Sequence, residues 1–313
     1  MRLQRPDARL LLLLPLLLAP LASVAETRIG LFGDLPYTRW ERDNFPALIA
    51  RMGEARLDLG IHVGDIKGGG GECRDAVYRN IRAEFDQAAF PLVFVPGDND
   101  WTDCHRWSNG GFDPLERLDF LRRVFYPGQE TLGRQRLPLQ RQAGYPENIL
   151  LPIGPLLVFG LNLPGSGNNL RAPDGTEPNP EFVARTQANR AWLDEAFERA
   201  AAHAGMVIAI QANPRFDRDG ELPRNAGYQP FIDQLRTRAA AYRKPVLLLH
   251  GDTHRVRIDQ PLKDTDGRTL RNVQRIETFG SPRFGWVEIS FSPDRSPAFQ
   301  ATPHAWADVA PPQ

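Results

Sequence analysis

The chain reads as an α/β protein built on a parallel sheet with covering helices, and three observations carry that expectation. Short apolar runs at residues 29–32, 59–63 and 92–95 each run into a turn glycine followed by aspartate, as buried strands do. Between them lie stretches with helical spacing, so the order is strand, helix, strand, helix, strand. Late in the chain, short β-type runs at 273–279 and 286–291 suggest a second sheet packed on the first.

Taken in order, residues 1–25 are set aside first. Arg2, Arg5 and Arg9 precede an apolar stretch at 10–18, and Ser23-Val24-Ala25 offers small residues for cleavage after Ala25. The stretch is short for a bilayer span, so a removed signal peptide is expected rather than a retained anchor. The protein would then be exported, periplasmic or extracellular, with one domain over 26–300, a loose tail at 301–313 and no membrane span.

Phe45, Leu48, Ile49 and Met52 predict a helix over 44–55, and Val77, Ile81 and Phe85 a second over 75–88. Residues 114–125 form a third, and 126–148 read as loop. A strand at 156–161 is followed by another Pro, Gly and Asn-rich loop at 162–181, long enough to suggest function or mobility. A helix at 181–202 carries Trp192, Leu193 and Phe197. Strand 206–210, helix 230–242 and strand 246–249 then lead into His250-Gly251-Asp252-Thr253-His254.

Hydrophobic residues make up 42% and charged residues 24% of the 313, enough for a buried core without staples. Without residues 1–25 the chain has 35 basic and 37 acidic side chains, a net charge of about −2, which gives no nucleic-acid footprint. No Gly-Lys-Ser/Thr phosphate loop and no Gly-x-Ser-x-Gly elbow is present. Cys73 and Cys104 read as one disulfide in an exported protein, against the alternative of two buried thiols.

The ligand site of an open parallel sheet lies beyond the carboxyl ends of its strands, where Asp34, Asp65 and Asp98 all fall. One Gly-Asp pair is an ordinary turn or cap. Four of them, counting Gly251-Asp252, each after an apolar run, point to a shared site. So many carboxylates stay ionised together only with a cation, since like charges raise one another's pKa.

The series Gly-Asp, Gly-Asp, Gly-Asp-Asn-Asp and Gly-Asp-Thr-His resembles the calcineurin-like metallophosphoesterases across residues 27–292, in a divergent branch with a Gly-Asp-Asn-Asp/Glu-Trp signature at 97–101. The resemblance implies a four-layer α/β/β/α sandwich and a two-metal site that hydrolyses phosphate esters by attack of a metal-held hydroxide on phosphorus. Asp34 matches the first motif, with Pro36 in place of its histidine. Asp65 matches the bridging aspartate. Asp98 and Asn99 stand where the family has Asn and His. Ala212 or Asn213 stands at the fourth motif, Asp252 replaces a histidine, and His254 matches one.

One ion would take Asp34, Asp65 and His254, and the second Asp65, Asp98 and Asp252 with an extra oxygen from Asn213 or Gln211. Two divalent ions are expected, with the oxygen-rich set favouring Mn²⁺ or Mg²⁺ over Fe, Zn or Ca. Asn99 would contact the phosphoryl group. His105 reads as a substitute general acid or as a loop histidine, and His250 as a residue orienting a ligand or a buried strand-end histidine. Arg215, Arg255 and Arg283 are candidate phosphate clamps or surface residues. The glycine run at 68–71 reads as a flexible loop before a phosphate cradle. The partner implied is a small phosphate ester. Two further readings are a non-catalytic metal- or phosphate-binding protein on this fold, and an exported interaction module using the loops at 126–148 and 162–181.

Overall fold

The computed structural model describes residues 26–223 and 225–306, so the segment expected as a signal peptide lies outside them. Twelve strands and six helices follow one another along the described chain. The first sheet runs in the order β12 (Phe299–Ala305), β11 (Gly285–Phe291), β1 (Thr27–Phe32), β2 (Leu59–His62), β3 (Leu92–Phe94). Its members β1, β2 and β3 are parallel, and β11 and β12 are antiparallel additions. The second sheet is ordered β4 (Gln140–Gln142), β5 (Tyr145–Ile153), β6 (Leu156–Gly160), β7 (Gly205–Ala209), β8 (Val246–His250), β10 (Val273–Glu277), β9 (Arg257–Asp259). Here β6, β7, β8 and β10 form the parallel centre.

Three apolar clusters explain the layering. Strand side chains alternate between faces, so each buried strand serves two cores. Ile29, Leu31, Ile61 and Val95 of the first sheet meet Ile149, Val158, Val207 and Leu249 of the second. The outer face of the first sheet packs on α1 (Arg39–Glu54), α2 (Asp75–Phe85) and α3 (Pro114–Phe125) through Phe32, Phe45, Phe85 and Phe125. The outer face of the second packs on α5 (Pro180–Ala200) and α6 (Gln229–Tyr242) through Phe159, Trp192, Ile208 and Leu235. Between them in sequence lies the one-turn α4 (Gly165–Asn168). This is the α/β/β/α sandwich the sequence implied.

Three boundaries differ from the sequence reading. Helix α1 begins five residues earlier than 44, because Thr38 caps it and Glu41 returns the bond to the Thr38 N–H. The stretch 126–148 is not all loop: β4 lies within it and β5 begins at Tyr145. Within the tail expected at 301–313, residues 301–305 are strand, since β12 pairs along β11 from Phe299 to Ala305. β4 and β12 are sheet edges with few buried side chains, so neither has the apolar alternation by which a strand is recognised. Among the described residues no helix is long and apolar enough to cross a membrane.

Candidate metal centre

The two sheets present the carboxyl ends of their parallel strands at one edge, and the predicted aspartates gather there. Asp34 follows β1, Asp65 follows β2, Asp98 follows β3 and Asp252 follows β8. Asp34, Asp65, Asp252 and His254 all adopt left-handed backbone with φ of 52°, 56°, 74° and 57°. Non-glycine residues hold that conformation at a cost, of order 1–3 kcal/mol each, only where the surroundings enforce it. The peptide bends here to aim side chains.

The contacts are interlocked. The Asp252 N–H donates to both oxygens of Asp34, at 3.1 and 3.0 Å. Asp252 in turn accepts the Asn213 N–H at 2.9 Å. Asp65 accepts the Asn99 N–H at 3.0 Å and the Asn99 side-chain amide at 2.9 Å. Gln211 Nε2 and the Tyr37 hydroxyl also donate to Asp65 Oδ2, each at 3.2 Å. Ser166 Oγ lies 2.6 Å from Asp98 Oδ2 and 2.9 Å from Asp103 Oδ2. One hydroxyl carries one proton, so the second carboxylate contact needs a proton on a carboxyl group.

Five residues in a row divide the labour around β3. Gly97 lies against Asp65 Oδ1, with no room for a side chain. Asp98 offers its carboxylate to the cluster. Asn99 orients Asp65. Asp100 accepts the main-chain N–H groups of Gly97, Asp65 and Ile66 at 2.7, 2.8 and 2.8 Å, tying two strand ends together. Trp101 is fully buried with the Arg185 guanidinium 5.5 Å over its ring.

Electrostatics confirm the crowding. Burial, then the charges of Asp98, Asp100, Asp34 and Asp252, hold Asp65 well above the usual carboxylate range. Burial and then Asp98 push Asp252 up to about 7, and the same pair of causes pushes Asp103 to about 6. Asp34 is raised chiefly by burial. Burial alone would lower His254, but its contact with Asp34 outweighs that and raises it.

Two details suit a bound cation. His254 Nδ1 lies 2.6 Å from the Ser281 carbonyl, which fixes it as an N–H, and Nε2 faces Asp34 Oδ1 at 3.6 Å. A proton on Nε2 or a cation held by both groups would join His254 to Asp34 there. Asp98 Oδ1 is buried with no hydrogen-bond partner. A Cβ at Gly165 would fall 2.7 Å from that oxygen and 2.9 Å from Asp252 Oδ1, so both oxygens face one small space that glycine leaves open. The donors come as two pairs: among the described residues no three His, Cys, Asp or Glu side chains close on a single point. Further coordination would come from main-chain or amide oxygens and water.

Other candidates take different places. The Asn213 side-chain oxygen accepts the Arg215 N–H at 3.0 Å, so its part in the cluster is its own N–H to Asp252. Asn99 has its amide donors on Asp65 and, at 3.5 Å, on Tyr37. His105 is exposed on the rim, its Nδ1 bonded to Thr102 O at 2.7 Å. His250 is fully buried and pushed down to about 3 by burial, with Nδ1 on Gly251 O. Arg283 donates to the His254 carbonyl at 3.0 Å, fixing that loop. Cys73 and Cys104 form the expected disulfide, with Cα atoms 5.8 Å apart. Tyr37, Ser166 and Asp103 belong to no Gly-Asp pair, so the strand-end pattern does not point to them. Asp100 was visible in its motif but without a role.

No family model and no curated relative matches the chain. Solved structures do. A dimetal phosphatase from Danio rerio aligns over 89% of this chain and 96% of its own, at 14% identity and TM-score 0.59. GAP50, the anchor in the inner membrane complex of Plasmodium, aligns over 90% and 85%, at 10% identity and TM-score 0.56. The purple acid phosphatase PPD1 of yellow lupin aligns over 86% of this chain and 50% of its own, at 12% identity and TM-score 0.50. Layer order, strand-end site and these alignments agree that the chain has the metallophosphoesterase fold.

Proposed function

We propose that the protein is an exported, metal-dependent hydrolase of phosphate esters. The observation that carries this reading is the Asp98 oxygen, buried without a partner and facing Asp252 across the space that Gly165 leaves open. An isolated buried carboxylate oxygen is costly unless something positive meets it. Asp34 with His254, and Asp98 with Asp252, would hold divalent ions, with Asp65 between the pairs. The oxygen-rich set favours Mn²⁺ or Mg²⁺.

Bound there, such ions would neutralise the phosphoryl oxygens and lower the pKa of water, the chemistry of two-metal hydrolases. The chain's own groups set the frame. Asn99, Gln211 and Tyr37 fix Asp65, and the Ser281 carbonyl fixes the His254 ring. Ser166 Oγ bridges Asp98 Oδ2 and Asp103 Oδ2 and fixes the Asp98 carboxylate. The disulfide ties the loop after β2 to the loop after β3 and stiffens one rim. Export is supported by the leader-like residues 1–25 and by that disulfide.

The test is metal content of the purified protein together with hydrolysis of nitrophenyl phosphate mono- and diesters with Mn²⁺. Asp98→Asn should lower metal affinity and turnover by at least about a hundredfold. Wild-type metal content in that variant would overturn the reading. A second reading, a binder on this fold without turnover, is favoured by one observation: Asn99, at the position of the family's catalytic histidine, has its amide turned to Asp65. The neighbour GAP50 is itself an anchor. Metal binding with no hydrolysis of any ester in the panel would select that reading.

A further inference from the structure

Next to the carboxylates lies a cavity of about 730 Å³ that no step above uses. It opens between the turn after β1, the glycine-rich loop after β2 and the start of α2. Pro36, Ile66, Val77 and Ile81 give it apolar walls, and Arg42 and Lys67 line it with cationic side chains. The wall nearest the site is shared. Tyr37 lines the cavity and its hydroxyl donates to Asp65 Oδ2. Gly69, on the loop that carries Lys67, lies so close to Asn99 that a Cβ there would fall 3.0 Å from Asn99 Oδ1. A molecule with its phosphoryl end on the carboxylate-held ions has this cavity beside it.

The two cations have charge to give. Arg42 uses one N–H on the Tyr37 carbonyl at 2.7 Å, and among the described residues no carboxylate lies within 4.0 Å of its guanidinium. Lys67 is 6% exposed, and its one hydrogen bond is a long contact to Gly68 O at 3.4 Å. Lysine is rarely buried so deeply without a paired partner. Asp100 and Asp65 act on it through space, without an ion pair. Arg74 on the same wall differs, because Glu72 neutralises it. Apart from the Glu72–Arg74 pair, the charge on this lining comes from Arg42 and Lys67, so a bound molecule that carries an anionic group is favoured there.

We infer that this cavity holds the leaving group of the substrate, and that the preferred leaving group carries a second negative charge, held by Arg42 and Lys67. The inference rests on the hydrolase reading for the word substrate and on the cavity alone for the binding preference. The substrate class is an organic phosphate with a carboxylate or second phosphate a few bonds from the ester oxygen.

The test compares phenyl phosphate with 4-carboxyphenyl phosphate, which differ by one charge, and the alcohols they release. The wild-type protein should show kcat/KM about tenfold higher for the carboxylated ester, the size of one charge-assisted bond. The ratio should fall towards one in Arg42→Gln, an exposed position that leaves the core intact, and in Lys67→Met, which keeps the buried volume. Calorimetric binding of 4-hydroxybenzoate against phenol reads the same preference without turnover. Equal binding of the two alcohols by the wild type overturns the inference even if both esters are cleaved. Selective binding of 4-hydroxybenzoate, lost in Arg42→Gln, upholds it even if neither ester is cleaved, in which case the hydrolase reading is what fails.

Discussion

His62 shows how much a single buried ring can govern. It ends β2 on the helix side of the first sheet, edge-on to Phe32 at 4.8 Å and near Phe85 and Phe94, with Nε2 3.2 Å from the Leu35 carbonyl. Burial pushes it down to about 3, so the folded protein keeps it neutral while the unfolded chain takes a proton near pH 6.5. Its contribution to stability is therefore complete above pH 6.5 and drains away as pH falls towards 3. His62→Phe removes the titration: between pH 6 and 4 the stability gap between parent and variant should shrink by about 1.4 kcal/mol per pH unit. Urea unfolding at stepped pH reads this, and parallel curves would show that the ring is protonated when folded. Legibility from sequence has the same grain. Asp34, Asp65, Asp98, Asp252 and His254 were legible because a strand end followed by Gly-Asp states a position in space. Ser166, Asp103 and Tyr37 were not, because they reach the cluster from loops and turns whose course depends on tertiary bonds.

At the scale of elements, the stretch 162–181 repays attention because α5 organises it. Arg185 is fully buried on that helix and binds Asn162 O, Asn168 Oδ1 and Asn168 O, while its ion pair to Glu181 completes the set. Asn189 of the same helix also donates to Asn162 O at 2.9 Å. These bonds bracket α4, the turn that brings Gly165 and Ser166 against Asp98. Arg185→Met takes the guanidinium away from Asn162 O, from both Asn168 oxygens and from Glu181, a loss of about 3 kcal/mol or more. The expected result is lower stability in urea together with weaker Mn²⁺ binding by calorimetry, since Ser166 loses its support. Unchanged metal affinity in a destabilised variant would confine Arg185 to packing. The sequence showed an amphipathic helix here through Trp192, Leu193 and Phe197, and it hid the buried arginine, which reads as a surface charge unless the loop above it is known. Strands β4 and β12 were hidden for the opposite reason, being edges whose side chains face water.

For the molecule as a whole, the concentration of acid at one edge makes stability depend on what is bound there. A ligand at a hundred times its Kd adds about 2.7 kcal/mol to the folded state. In a domain of this size that is roughly 5 °C of melting temperature. Mn²⁺ added to chelator-treated protein should produce that rise, with a smaller one in Asp252→Asn. Equal midpoints with and without the ion would mean that the cluster takes none. The general plan, two sheets back to back with helices outside, was legible because both parallel centres carry near-continuous apolar runs.

Asp252 bonds to Asp34 across 218 residues, and Thr27 at the start of β1 pairs with Phe291 of β11. The acidic edge is thus among the last features to exist as the polypeptide emerges. A nascent fragment lacking its final quarter has neither the partner that orients Asp34 nor the neighbour that closes β1 on one side. Any ion those carboxylates take would be bound only after the chain is complete.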